Sequence, residues 1–384
     1  MCMKRLLAAV GDPNDIATWS GTPFHLLMEA RSQGVLHAGL PMGVNGSAWR
    51  RRRLSWNLLR VMQGYGRGGY QYSDAFLEAL WRPHADAIGG AMLLNCFQLY
   101  PRSLVMRGDV GRWYFIDQTL TQMFHAYGSS NDVGRGVVAS AVHAERAGYH
   151  LASGVIAHSR WAARSLIDDY GVDPERVHVV VPGANTGGID LGALTAARDG
   201  AGTNGDGVLR LVFVGKDPKR KGLDRLLRAT AIAAGQGAPL RLRVIGCGRE
   251  TVDEPLRATP NVDWVGFIDK RTDAARYAEL VGGSDVGCLL SRAEAGGIGL
   301  REYHALGLAV IGPDVGGSPD HVIPGASILV RPEQSDADIA ATLIALSRDR
   351  ERVNAMKAVS WARRKEVLWT ESVRRIGEIL DGRA

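Results

Sequence analysis

The chain has 384 residues, of which 46% are hydrophobic and 22% are charged. This length suits two domains, and the composition is that of a soluble globular protein with large cores. No stretch reaches the roughly 20 apolar residues that a membrane-spanning helix requires, so we expect no such helix. The formal net charge of +6 favours a polyanionic partner, whether nucleic acid, an anionic membrane or phosphates. The four scattered cysteines predict a reduced cytoplasmic protein without structural zinc.

Short apolar strands alternate with amphipathic helices along the chain. We read the first apolar run as a buried strand rather than a secretory signal. The predicted strands cover residues 6–10, 113–116, 154–159, 177–182, 209–215, 240–246, 262–267, 286–291 and 308–313. Helical patterns cover residues 22–34 and 160–171, among others. This alternation predicts an α/β fold with parallel sheets flanked by helices.

A stretch rich in Gly, Asn, Asp and Thr, residues 183–207, nearly bisects the chain. Its composition predicts a linker between two domains. We therefore assign residues 1–190 to an N-terminal domain, 191–207 to the linker and 208–365 to a C-terminal domain. The final helix, 366–384, is expected to pack back on the N-terminal domain. Two such domains bind a ligand in the cleft between them, outside the carboxyl ends of the strands.

A glycine-rich loop with two glutamates follows the strand predicted at 286–291. The loop carries Glu294, and Glu302 falls about two turns into the next helix by simple rise. Glycines between a strand and a helix let backbone N–H groups approach an anion closely, and the helix N-terminus adds a partial positive charge. Two carboxylates around such a loop suit a ligand with hydroxyls at each end and phosphates between. A nucleotide sugar is such a ligand.

A basic turn follows the strand predicted at 209–215. Lys216 and Lys221 flank this turn at the carboxyl end of the strand, where ligands bind in such folds. Lysines there can neutralise a diphosphate leaving group as charge develops on it. The alternative is a solvated basic turn. The nearby glutamate loop favours the functional interpretation.

Together these motifs resemble the family 4 glycosyltransferases, over residues 209–331. The resemblance implies the GT-B fold, two Rossmann-like domains facing each other across a cleft. It rests on the basic turn, the sequence VIGCG, the sequence VDWVGF, two glutamates with seven residues between them, and VIGPDVGGSPDHVIPG, all in the family's order. Residues 151–185 are similar to the segment that closes the family's N-terminal domain.

The resemblance also implies roles for individual residues. Glu294 would contact the donor sugar, Glu302 the ribose hydroxyls, and Lys216 and Lys221 the diphosphate. Gly21, in the sequence WSGTP, falls at the family's N-terminal loop near phosphate or acceptor. The predicted catalytic residues are Glu294, Lys216, Lys221 and Asp117. The predicted donor-binding residues are Gly21, Gly215, Gly246, Gly297, Ile298, Gly299 and Glu302.

Three positions depart from the family's pattern. Lys216 stands where arginine is more common. A compact ammonium therefore replaces a planar guanidinium that can donate two parallel hydrogen bonds. Gly296 stands where an aromatic side chain is common. Asp117 stands where the N-terminal domain often has a histidine, and it either contacts the acceptor or caps the following helix.

The resemblance predicts a retaining glycosyltransferase that moves a hexosyl-type group from a nucleotide-diphosphate sugar to an acceptor hydroxyl. The acceptor would be a glycan or a lipid-linked glycan. The chain has no Asp-x-Asp in a suitable strand context, so we expect neither metal nor cofactor. A nucleotide-sugar epimerase or hydrolase on the same fold, and a non-catalytic nucleotide-binding module, remain alternatives.

The strongest basic cluster consists of Arg50, Arg51, Arg52 and Arg53, between Trp49 and Trp56. It is either a solvated helix face or an attachment to anionic lipid, with the two tryptophans at the interface. Attachment would place the protein at the inner face of the plasma membrane. No nucleic-acid motif accompanies the charge, so we expect no nucleic acid.

Overall fold

The computed structural model describes residues 3–44, 46–126, 128, 133–134, 136–187, 189 and 206–383. The chain forms two compact units, one of Met1–Pro182 with Ser372–Ala384 and the other of Gly183–Glu371. The division after Pro182 precedes the boundary predicted at 190. Of the linker predicted at 191–207, all but the last two residues lie outside the described residues.

The first unit contains a six-stranded parallel sheet in the order β2-β1-β3-β4-β5-β6. Its strands are β1 Arg5–Ala8, β2 Ala38–Leu40, β3 Met92–Asn95, β4 Gly111–Ile116, β5 Gly154–Ala157 and β6 Val177–Val179. Its helices are α1 Thr22–Ser32, α2 Ser47–Met62, α3 Asp74–Trp81, α4 Arg102–Val105, α5 Leu120–Ala126, α6 Val137–Leu151 and α7 Arg160–Asp168.

The second unit contains another six-stranded parallel sheet, in the order β12-β11-β10-β7-β8-β9. Its strands are β7 Leu209–Val214, β8 Leu240–Ile245, β9 Val262–Gly266, β10 Val286–Cys288, β11 Ala309–Pro313 and β12 Ser327–Val330. Its helices are α8 Leu223–Gly235, α9 Glu254–Arg257, α10 Ala274–Gly282, α11 Ile298–Ala305, α12 Asp336–Arg348 and α13 Arg350–Ala362.

The boundary between the two units falls inside the last helix, α14 (Trp369–Leu380). Its residues up to Glu371 belong to the second unit, and those from Ser372 onward belong to the first. Its carboxyl end is tied to the start of β1: Arg5 Nη2 lies 2.5 Å from Asp381 Oδ1 and donates to the carbonyl oxygen of Leu380 at 3.4 Å. Within the described residues, no helix has both the length and the apolar composition needed to cross a bilayer.

The predicted α/β fold with two parallel sheets is confirmed, although three strands were missed. β2 has three residues including a glycine, β3 follows a glycine pair, and β12 lies at a sheet edge. None of them has the length of β7, whose six residues are mostly apolar and identify it as a buried strand.

In each sheet the strand order changes direction beside the first strand of the unit, β1 or β7. In the second unit, β8 lies on one side of β7 and β10 on the other. The connection after β7 runs toward β8, and the connection after β10 runs the opposite way, toward β11. This divergence opens a crevice at the carboxyl ends of β7 and β10. Residues 215–222 follow β7 and residues 289–297 follow β10, so the predicted donor-site loops meet at this point.

Candidate functional site

Two loops of the second unit are joined by backbone hydrogen bonds. Leu290 N donates to the carbonyl oxygen of Lys221 at 3.2 Å, and Arg292 N donates to that of Arg220 at 2.8 Å. Gly222, at φ 72°, begins α8, and a Cβ there would overlap the carbonyl oxygen of Leu290. Because the backbones are in contact, a glycine is required at this position. The basic turn and the glutamate loop thus form one hydrogen-bonded assembly.

Lys221 is half-buried within this assembly. Its side chain runs across Gly215, since a Cβ on that glycine would lie 2.5 Å from Lys221 Cδ. Burial lowers the pKa of Lys221, and the nearby Glu294 carboxylate partly offsets that effect. The ammonium therefore loses part of its hydration and interacts favourably with the charge of Glu294.

Lys216 points elsewhere on the second unit. It is exposed, and its Nζ lies 4.6 Å from the ring centroid of Phe267, a residue just after β9 whose side chain is 60% exposed. This is a cation–π contact at an exposed site. The sequence had not singled out Phe267, although VDWVGF contains it.

Glu294 lies on the loop after β10, as predicted, and is fixed by two side chains. Ser291 Oγ donates to its Oε2 at 3.1 Å, and Arg220 Nη1 lies 3.3 Å from the same oxygen. Gly317 N donates to its backbone carbonyl at 3.2 Å. These two side chains engage only Oε2, which leaves Oε1 for a ligand hydroxyl. Sequence reasoning missed Ser291 and Arg220, which are recognisable only once the two loops meet.

The glycine loop ends where α11 begins. Gly297 caps the helix, and a Cβ on it would lie 2.6 Å from Leu300 Cδ1. A Cβ on Gly296 would lie 3.2 Å from Cε1 of His321, so this imidazole packs beside the position where the family commonly has an aromatic side chain. Ile298 and Gly299 form the first turn of the helix, whose N–H groups have no partners within the helix. The loop and helix therefore present amides of the kind that anions bind.

Glu302 lies closer to the helix start than predicted. It is the fifth residue of α11, about one turn in rather than two, because the helix begins only at Ile298. Its side chain is buried, and Lys270 Nζ lies 2.7 Å from each of its oxygens. Tyr277 Oη donates to Oε2 at 2.7 Å, and burial beside this carboxylate raises the pKa of Tyr277. Lys270 and Tyr277 were both missed, since neither belongs to a motif.

Gly246 follows β8 and lies in the left-handed region, at φ 103°. A Cβ there would lie 2.8 Å from the carbonyl oxygen of Gly215, the first residue of the basic turn. Two glycines on neighbouring strands therefore allow the backbones to touch. This contact sets the position of the basic turn.

In the first unit, Gly21 lies at the N-terminus of α1. It is buried at φ 87° and follows Trp19 and Ser20, two non-glycine residues with φ of 48° and 58°. Backbone strain of this kind concentrates at functional sites. The structure thus supports close packing at Gly21 without identifying a ligand.

Asp117 follows β4 at the carboxyl edge of the first sheet. It does not cap α5: Thr119 does, because Gln122 N donates to Thr119 Oγ1 at 3.2 Å and Thr119 N donates to Gln122 Oε1 at 3.1 Å. The capping alternative for Asp117 is therefore wrong. By register, His158 is its neighbour on β5, because Ile116 pairs with Ala157. Burial lowers the pKa of His158 to about 3, so this imidazole is neutral.

Within the described ranges, no group of three or more His, Cys, Asp or Glu side chains is arranged to hold a metal ion. The predicted site residues of the second unit thus meet around one switch point, with Lys216 directed to its margin. Gly21 and Asp117 belong to the other unit.

Residues 202–360 match the family model described as glycosyl transferases group 1. Among curated proteins, the chain is 31% identical over 224 residues to a D-inositol 3-phosphate glycosyltransferase of Geodermatophilus obscurus, covering 54% of this chain and 50% of that protein. It is 28% identical over 239 residues to the protein of that name from Thermobispora bispora, covering 60% and 56%. The chain therefore spans about half the length of the curated relatives it matches.

Solved structures share the fold along the whole chain. WaaG, a glycosyltransferase involved in lipopolysaccharide biosynthesis, matches with a TM-score of 0.66 at 14% identity, covering 98% of this chain and 100% of that one. Anabaena HepE in complex with UDP matches with a TM-score of 0.66 at 15% identity, covering 99% and 100%. At such identities the likeness establishes the fold and nothing finer.

Proposed function

We propose that this chain, which has the GT-B fold and a glycosyl transferases group 1 domain at residues 202–360, is a retaining glycosyltransferase. It would move a hexosyl-type group from a nucleotide-diphosphate sugar to a hydroxyl of a glycan or a lipid-linked glycan. The observation that carries the proposal is the joining of two loops at the switch point of the second sheet. That joining places the turn that carries Lys221 against the loop that carries Glu294, and this loop leads into the amides that begin α11.

A nucleotide sugar fits the chemistry of this switch point. The ammonium of Lys221 and the N–H groups of Gly297 and Ile298 suit the diphosphate. Glu294 keeps Oε1 for a sugar hydroxyl while Ser291 and Arg220 hold Oε2. In support, one solved structure with this fold, Anabaena HepE, is described in complex with UDP-glucose.

Glu302 would accept hydrogen bonds from the ribose hydroxyls, which would replace those that Lys270 donates to it. Its two oxygens offer about four lone pairs, and Lys270 and Tyr277 already use three of them. A ribose diol that donates to both oxygens therefore needs Lys270 to leave Oε2. The buried carboxylate keeps its charge partner until the donor supplies hydroxyl donors in its place.

In the proposed reaction, the bond between the sugar's anomeric carbon and the diphosphate breaks first, and an oxocarbenium-like centre forms. The acceptor hydroxyl then attacks from the side that the diphosphate leaves and gives its proton to the departing diphosphate, so the anomeric configuration is retained. The residues at the switch point would act on the departing diphosphate, where negative charge grows. A partly desolvated ammonium such as Lys221 is well suited to this because charge interactions strengthen away from water.

The test is a panel of UDP-, GDP- and dTDP-sugars incubated with candidate acceptors, including D-inositol 3-phosphate and lipid-linked glycans. Mass spectrometry identifies the product, and NMR of its anomeric proton gives the configuration. The proposal expects a glycoside with the donor's configuration. Free sugar alone indicates a hydrolase, an isomerised donor indicates an epimerase, and binding without turnover indicates a nucleotide-binding module; each would refute the proposal.

A further inference from the structure

Helix α2 (Ser47–Met62) is unusual among the helices of the first unit because none of its residues is buried. It is attached to the unit by its two tryptophans. Trp49 packs at 5.3 Å from the ring of Phe76, and Trp56 Nε1 donates to the carbonyl oxygen of Gly68 at 3.2 Å. Both tryptophans pack against the core of the unit. The prediction that they lie at a membrane interface is therefore wrong.

The opposite side of the helix exposes large apolar side chains. Leu54 is 67% exposed, Leu58 63%, Val61 46% and Met62 75%. At about 100° per residue these positions, spaced by four, seven and eight, form one stripe along the helix. We call this stripe the α2 outer face. A contiguous exposed apolar patch on a soluble domain marks an interaction surface.

The charge of the helix identifies the partner. α2 carries five arginines, the cluster Arg50–Arg53 and Arg60, and no Asp or Glu. By helical periodicity Arg50 borders the α2 outer face, and Arg51 lies in line with it at the amino-terminal end of the helix, one turn before Leu54. Arginines beside an exposed apolar stripe, on a helix of low mean hydropathy, are the pattern of a helix that lies in the plane of an anionic bilayer.

We propose that α2 docks the protein on an anionic lipid surface, with Leu54, Leu58, Val61 and Met62 inserted among the acyl chains and Arg50 and Arg51 on the headgroups. A second copy of the chain is the less suitable occupant. Two α2 helices face to face would bring like charges together, which is destabilising. The proposal does not depend on the donor site, because docking requires no nucleotide.

The test is co-sedimentation of the full chain with vesicles of phosphatidylcholine, with or without phosphatidylglycerol. We expect binding to the anionic vesicles, weakened by salt. Replacing both arginines, Arg50→Glu with Arg51→Glu, should lower the partition coefficient at least about 10- to 30-fold. Leu54→Ser with Leu58→Ser should lower it about tenfold or more at every salt concentration.

Matched controls separate this surface from general stickiness. Met106 and Leu151 are exposed apolar residues elsewhere on the unit, and Arg82 is an exposed arginine. Met106→Ser, Leu151→Ser and Arg82→Glu should bind vesicles like the parent chain, and circular dichroism should show every variant folded. Equal binding to neutral vesicles, or α2 variants that bind like the parent, would overturn the proposal. The proposal would also be overturned if the parent chain did not bind vesicles but self-associated, and the α2 variants abolished that self-association.

Discussion

Lys221→Met is the sharpest single perturbation of the proposed donor site. A unit charge within about 4 Å of a growing charge, at an effective dielectric constant of about 20, contributes about 4 kcal/mol. The charge difference between ground and transition states is smaller than a full unit. We therefore expect kcat to fall by about 100- to 1000-fold, the loss typical of one removed oxyanion donor. Glu294, beside Lys221, and the helix amides remain in place.

The same change should not unfold the chain. Burial lowers the pKa of Lys221 in the folded state, so the ammonium disfavours folding at neutral pH and methionine removes that cost. The assay measures nucleotide release with the active donor, alongside thermal unfolding. Lys219→Met is the matched control, an exposed lysine of the same turn, and should leave kcat within about twofold. A Lys221→Met variant with unchanged kcat, or one whose loss follows its melting temperature, would refute the reasoning.

Three further predictions concern other contacts. Lys270→Met should raise the preference for a ribonucleotide over its 2′-deoxy analogue about tenfold, measured by calorimetry, because Glu302 then has a lone pair free for each hydroxyl. Gly246→Ala should lower the free energy of unfolding in urea by about 2–4 kcal/mol, through its positive φ and the clash with Gly215. The third concerns Glu145, whose pKa burial raises to about 8. Protonated Glu145 favours the fold, so its contribution is full below about pH 4.5 and is lost as pH rises through 8. Thermal unfolding measured across pH should show that Glu145→Gln reduces the slope of unfolding free energy against pH by up to about 1.4 kcal/mol per pH unit.

Each of these variants has a control on the same chain. Arg271→Met removes a neighbouring exposed charge and should leave the ribose preference unchanged. Gly237→Ala adds a Cβ at φ 74° with no atom within 4 Å, so it should cost only about 1–2 kcal/mol. Glu175→Gln, at an exposed carboxylate, should leave the pH dependence intact. A control that behaves like its partner would contradict the corresponding prediction.

The motif-bearing part of the second unit could be predicted from sequence because its signals are local. A mostly apolar run predicted β7. The glycine Gly222 reflects a backbone contact that admits no Cβ, and Gly215 and Gly297 pack closely against side chains. The side chains that hold the glutamates could not be predicted this way. Arg220 reaches Glu294, and Lys270 reaches Glu302, only after distant loops meet at the switch point.

The first unit was harder to predict for two reasons. Its strands β2 and β3 have only three and four residues, so they lack a clear period. The tryptophans of α2 looked like membrane anchors, because a sequence gives the composition of a helix but not which of its faces packs on the core. Helical spacing from Leu54 to Met62 was the signal that could have identified the outer face.

The most direct test of the central claim is saturation-transfer NMR of the full chain with UDP-, GDP- and dTDP-sugars. A nucleotide sugar should bind, and its ribose and sugar protons should receive saturation. Glu302→Gln should then weaken the ribose contacts and Glu294→Gln the sugar contacts. Absence of binding to every donor, or the same saturation pattern in both variants and the parent chain, would contradict a donor site at the switch point of the second sheet.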